Sequence, residues 1–84
     1  MQVNPSVGYS ARVRLWLECE GCLVQLSQVA RDWIIPAERR VLPPSYGVIV
    51  VEVDGEEHRY SVYLPNGMSG EIAQVAVEKC VAAA

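Results

Sequence analysis

The chain has 84 residues, a formal net charge of −3 and a hydrophobic fraction of 51%. A chain of this length forms one domain with a thin core. Such an apolar composition therefore predicts that some apolar surface contacts a partner, and the simplest such partner is a second copy of the chain in a homodimer. The acidic balance argues against non-specific binding of nucleic-acid phosphates. No 18-residue apolar run is present in the sequence, so no transmembrane helix is expected.

The N-terminal sequence and the cysteine content predict a cytoplasmic protein of bacterial type. The first ten residues lack the charged and apolar regions of a secretory signal peptide. Three cysteines are an odd number and do not make a disulfide framework. We expect a single β domain over residues 1–84, with flexible ends at 1–8 and 82–84.

The alternation of apolar and polar residues in ARVRLWLECEGCLVQLS predicts a first β-hairpin with a two-residue turn at Glu20 and Gly21. Glycine supplies the positive φ that a tight turn needs. A two-residue turn sets apolar residues opposite apolar residues, whereas a three-residue loop would set charge against the core. The predicted cross-strand pairs are Cys19–Cys22, Leu17–Val24 and Leu15–Leu26.

The segment VIVVEVDGEEHRYSVYLP predicts a second hairpin, because Asp54 and Gly55 between alternating apolar runs are a strong turn signal. Val48 and Val50 are apolar on the opposite face of its first strand, which predicts a central strand that is covered on both sides. The predicted pairs are Val53–Glu56, Val51–His58 and Ile49–Tyr60.

The remaining segments predict short elements. A strand is expected from Trp33 to Ile35, and a connection with a turn at Gly47 is expected after the paired prolines at 43–44. Residues 71–80 fit a strand or a helix, and their β-branched content favours a strand. The predicted fold is all-β: a small antiparallel barrel or sandwich of five to six short strands built from hairpins.

Two cysteines separated by two residues at a turn are typical of zinc knuckles, because a tight turn points both thiolates at one ion. A structural zinc module would need two further ligands, and the candidate set is Cys19, Cys22, His58 and Cys80. The alternative is that these cysteines simply continue the apolar faces of their strands. A redox pair is less favoured, because reactive pairs usually sit at a helix N-terminus, whereas the neighbours here are the acidic Glu18 and Glu20. We expect no metal and no cofactor.

A second candidate site combines Arg12, Arg14 and Trp16 on the solvent-facing parity of the first strand, with Arg39 and Arg40 adding charge. Arginine beside an aromatic ring on a small barrel is typical of platforms for single-stranded nucleic acid. The acidic composition argues against such binding as the main function, so a nucleic-acid platform formed by Arg14 and Trp16 is kept as an alternative.

The sequence offers no catalytic constellation. His58 is the one histidine, and no nucleophile or orienting group accompanies it at a recognisable spacing. We therefore expect a non-catalytic binding domain, not an enzyme, that contacts a protein partner or associates with itself. Large aromatic residues dominate interface energetics, and the predicted contact surface is Trp16, Trp33, Tyr46 and Tyr63.

Overall fold

The structure is a computed structural model that describes residues 12–80. The segments predicted to be flexible, 1–8 and 82–84, lie outside the described residues. Among residues 12–80 no helix could span a membrane. The strands of the described chain are β1 (Val13–Cys19), β2 (Cys22–Val29), β3 (Trp33–Pro36), β4 (Val41–Leu42), β5 (Ser45–Val53), β6 (Glu56–Leu64), β7 (Met68–Ser69), β8 (Val75–Ala76) and β9 (Glu78–Lys79).

Seven of these strands form one antiparallel sheet in the order β8-β3-β2-β1-β5-β6-β9, while β4 pairs with β7. The two outermost strands, β8 and β9, are separated in the chain by Val77 alone. One short segment therefore borders both ends of the sheet and curls it into a nearly closed barrel. The predicted all-β antiparallel barrel is confirmed, and β1, β2, β3, β5 and β6 are the strands of four or more residues.

Both predicted hairpins have the predicted register. Cys19 lies opposite Cys22 and Val53 lies opposite Glu56, so each turn has two residues. Both turn positions have positive φ in each case, 52° and 73° in the first turn and 51° and 87° in the second. This pairing of left-handed residues characterises the type I′ turn that suits the twist of a hairpin. The pair Leu15–Leu26 lies beyond the β1–β2 ladder, which ends at Trp16 opposite Gln25.

Strand β5 lies in the middle of the sheet, between β1 and β6, and is covered on both faces as predicted. Ile49 on the inner face and Val50 on the outer face are both buried. The prediction of a turn at Gly47 is wrong, because Gly47 lies inside β5. A Cβ atom there would come within 2.9 Å of the Glu18 carbonyl oxygen. Glycine at this position thus permits β1 to pack closely rather than allowing the chain to turn.

Residues 71–80 contain strands and no helix, so the favoured alternative of the sequence is confirmed. Val75 and Val77 are buried, and the intervening Ala76 is exposed, as alternation requires. Val75 and Val77 belong to the single hydrophobic core inside the barrel, whose buried members are Leu17, Cys19, Val24, Leu26, Ile34, Leu42, Ile49, Val62, Leu64, Met68, Val75 and Val77.

Candidate functional site

The three cysteines converge on one shallow concavity of about 770 Å³ at the end of the barrel that carries the first hairpin turn. Cys19 is buried, and its Sγ donates a hydrogen bond to the Tyr46 carbonyl oxygen at 3.4 Å. Cys22 and Cys80 are half-buried. All three are free thiols. Cys19 and Cys22 are cross-strand partners at the first hairpin turn, and Cys80 directly follows β9.

His58 does not join the cysteines. It lies opposite Val51, near the second hairpin turn, whereas Cys19 lies opposite Gly47 toward the other end of β5. Its Nε2 is 4.0 Å from Oε1 of Glu56 on the same strand. The four predicted zinc ligands are therefore not assembled, and across residues 12–80 no group of three His, Cys, Asp or Glu side chains is placed to hold a metal ion.

Trp16 lies on the outer face of β1, but it is only 7% exposed. The Arg14 guanidinium carbon lies 5.2 Å from the centroid of its ring, and Arg14 Nη1 is 3.3 Å from Glu52 Oε1. The prediction that Trp16 belongs to an exposed contact surface is therefore corrected. A nucleobase could not stack on this indole without displacing Arg14, so the predicted nucleic-acid platform is occupied by the protein's own side chains.

Glu18 links the outer face across three strands. The Trp16 indole N–H donates a hydrogen bond to its Oε2 at 3.2 Å, and Arg59 on β6 forms an ion pair with its Oε1. Because Arg59 lies opposite Val50 on β5, its side chain crosses the outer face of β5 to reach Glu18. The indole hydrogen bond lowers the pKa of Glu18, burial opposes this shift, and Arg59 adds to the lowering.

This lowered pKa predicts an acid-dependent loss of stability. The free energy that ionised Glu18 contributes is fully present above the ordinary glutamate value of 4.5, and it is lost as the pH falls through the lower pKa of the folded state. The variant Glu18→Gln should flatten the fall of the urea midpoint below pH 4.5. Glu20→Gln is the matched control, since Glu20 is exposed and forms no ion pair with any residue of 12–80. An equal flattening in both variants would contradict the prediction.

Two of the predicted aromatic residues do lie together. Tyr46 and Tyr63 are cross-strand partners on the outer face, with ring centroids 4.6 Å apart and an interplanar angle of 45°. Tyr46 is 71% exposed. Trp33 is half-buried on β3 opposite Ala76, on a different side of the barrel, so it does not extend this pair.

The exposed Leu23 and the half-buried Val48 extend this tyrosine pair into a larger apolar surface that the sequence prediction did not include. Both lie opposite Glu18, on the outer faces of β2 and β5, and both line the same concavity as Tyr46. Leu23 is 49% exposed. The available signal was an apolar side chain on the otherwise polar parity of its strand. We call Leu23, Tyr46, Val48 and Tyr63 the tyrosine patch.

Carboxylates surround the tyrosine patch. Glu18 lies between Leu23 and Val48, Glu20 belongs to the adjoining turn, and Glu78 lies opposite Tyr63. The nearby cation Arg59 is already paired with Glu18 and with Glu57. The site is therefore apolar at its centre and acidic at its rim.

No protein-family model, no curated protein and no solved structure matches the chain. Its function is therefore inferred from its own residues.

Proposed function

We propose that the protein is a non-catalytic binding domain and that its tyrosine patch contacts a protein partner. The observation that supports this proposal is that Tyr46 and Leu23 are both exposed and line the same concavity, with Tyr46 packed against Tyr63. Tyrosine supplies a large contact area and loses little side-chain entropy on binding. Three free thiols favour a reducing compartment, so we place the domain in the cytoplasm.

The rim charge favours a partner of different sequence over a second copy of this chain. A two-fold symmetric contact through the tyrosine patch would bring the rim carboxylates Glu20 and Glu78 toward the acidic rim of the second copy. Juxtaposed like charges oppose association, whereas a partner with lysine or arginine around an apolar anchor would be attracted. Self-association through this patch is thus the weaker form of the proposal.

The test uses a displayed peptide library selected on the immobilised protein. Enriched peptides should combine a large apolar residue with flanking basic residues. Tyr46→Ala should weaken the affinity of an enriched peptide about 30-fold, as expected for a central interface residue. Tyr60→Ala is the matched control, because Tyr60 is also exposed but lies on the inner-face parity of β6, opposite Ile49.

Three outcomes separate the alternatives. Peptide affinity that falls in Tyr46→Ala and with rising salt supports the proposal. Equal affinity of Tyr46→Ala and the unmodified protein contradicts it. A dimer in sedimentation that Tyr46→Ala abolishes would overturn the assignment to a different partner in favour of self-association.

A further inference from the structure

A second cavity, of about 300 Å³, lies on the inner face of the barrel, away from the tyrosine patch. Its floor belongs to the core, since Ile49, Val62 and Val77 are buried. Val29 and Val51 form half-buried walls that pack against the same core. The body of the cavity is therefore built from branched aliphatic side chains, and this is the usual lining of a small-molecule site in the mouth of a barrel.

The rim of this cavity is cationic. Arg31 and Lys79 line it, and no acidic side chain among residues 12–80 does. Neither cation forms an ion pair with another residue of that range. The neighbouring Glu78 lies opposite Tyr63, on the outer face, so alternation along β9 separates this carboxylate from Lys79. Two unpaired cations on one rim are unexpected in a chain of net charge −3.

Backbone hydrogen bonds fix the segment that carries Arg31. The turn that carries Arg31 is closed by a hydrogen bond from the Ala30 N–H to the Trp33 carbonyl at 2.8 Å. The Val77 N–H donates to the Asp32 carbonyl at 3.0 Å, which fastens that turn to the closing segment. A turn whose backbone is already fixed reduces the part of the ordering cost of binding that comes from the main chain.

Lys79 lies on the other side of the cavity from Arg31, on β9. It lies opposite Val62 in the β6–β9 pairing, and its Nζ is 5.8 Å from the centroid of the Tyr60 ring. Tyr60, which also lines the cavity, is 44% exposed, so its hydroxyl can meet a ligand without leaving water. A charged head group bound at this rim keeps much of its hydration, which avoids the large cost of burying an ion.

We propose that this cavity binds a small amphipathic anion, an aliphatic carboxylate whose chain enters the valine-lined mouth and whose head group meets Arg31 and Lys79. The volume lies at the lower end of the range for small-molecule sites. The cavity is therefore too small to enclose a nucleotide or an extended peptide completely. The aliphatic walls favour a hydrocarbon chain in the ligand, and the two cations favour a negatively charged head group.

The test is a titration of the ¹⁵N-labelled protein with octanoate, followed by amide chemical shifts. Shifts are expected at residues 29–31, 49–51, 60–62 and 77–79. Shortening the chain to hexanoate should weaken binding about 15-fold, because each buried methylene contributes about fourfold in affinity. Octanol and octylammonium test the head group, and both should bind more weakly than octanoate.

Two variants assign the contacts. Arg31→Gln and Lys79→Gln should each weaken octanoate about threefold, as expected for charges at an exposed rim, while leaving octanol unchanged. Arg39→Gln is the matched control, since Arg39 is an exposed cation that donates to the Gly70 carbonyl outside this cavity. Val51→Phe should fill the mouth and abolish binding, with amide spectra that report whether it stays folded.

Equal affinity for octanoate and octylammonium would overturn the proposal, because the site would then not distinguish a negative head group from a positive one. Octanoate shifts confined to residues 23, 46, 48 and 63 would also overturn it, since the ligand would then occupy the tyrosine patch. The two sites lie on opposite faces of the sheet, so failure of one leaves the other intact.

Discussion

The variant Gly67→Ala is expected to lose about 3 kcal/mol or more of its free energy of unfolding. Gly67 has a φ of 59°, and a Cβ atom there would lie 2.0 Å from the Leu42 carbonyl oxygen and 2.7 Å from the Pro43 carbonyl carbon. Both of these atoms belong to the backbone, so no rotamer change can relieve the clash. The chain would have to separate β4 from β7, and their residues Leu42 and Met68 belong to the core.

Alanine variants at the two hairpin-turn glycines distinguish the effect of the steric clash at Gly67 from the effect of its positive φ. Gly21 and Gly55 also have positive φ, 73° and 87°, but a Cβ atom at either would meet nothing within 4 Å. Gly21→Ala and Gly55→Ala should therefore cost only the left-handed strain, about 1 kcal/mol each. Urea unfolding followed by circular dichroism compares the three variants. A Gly67→Ala variant no less stable than Gly55→Ala would show that the contact with residues 42–43 relaxes freely.

Period-two alternation was enough to predict the centre of the barrel. In each hairpin the turn residues and the apolar pattern allow one register, because a shift by one residue would turn an entire strand over. The closure of the barrel has no such signal. Strands β4, β7, β8 and β9 have two residues each, which is too short for a repeating pattern. Their pairing depends on tertiary contacts, such as Val75 opposite Ile34.

Alternation was a weaker guide to the site, because it assigns a side chain to a face but does not say what covers that face. Trp16 and Tyr46 both lie on the outer face. Arg14 stacks on Trp16, and the Arg59 side chain crosses β5 to reach Glu18, so Trp16 is covered. Tyr46, near the start of β5, lies beyond these side chains and remains exposed.

The second large effect is expected for Leu17→Ala, which should lose about 3 kcal/mol of its free energy of unfolding. Leu17 is 0% exposed and pairs with Val24 and Ile49, both of which are buried. Truncation at a position packed between two neighbouring strands leaves a cavity that the sheet backbone cannot close. A chain of this size has roughly 4 to 13 kcal/mol in total, so thermal unfolding should shift by more than about 10 °C.

Leu23→Ala is the matched control, because it makes the same truncation on the same hairpin at a side chain that faces outward. It should change the free energy of unfolding by about 0.5 kcal/mol, as is usual at an exposed position. Thermal unfolding of both variants measures this difference. Similar losses in the two would mean that the outer face at Leu23 is packed as tightly as the core.

The same pair of variants also separates folding from binding. Leu17 has no exposed surface, so Leu17→Ala should bind an enriched peptide normally at a temperature where it is folded. Leu23→Ala should retain its stability and lose affinity for that peptide, since Leu23 lies in the tyrosine patch beside Glu18. Opposite responses of two leucines six residues apart would assign the inner face of the hairpin to the fold and its outer face to the partner.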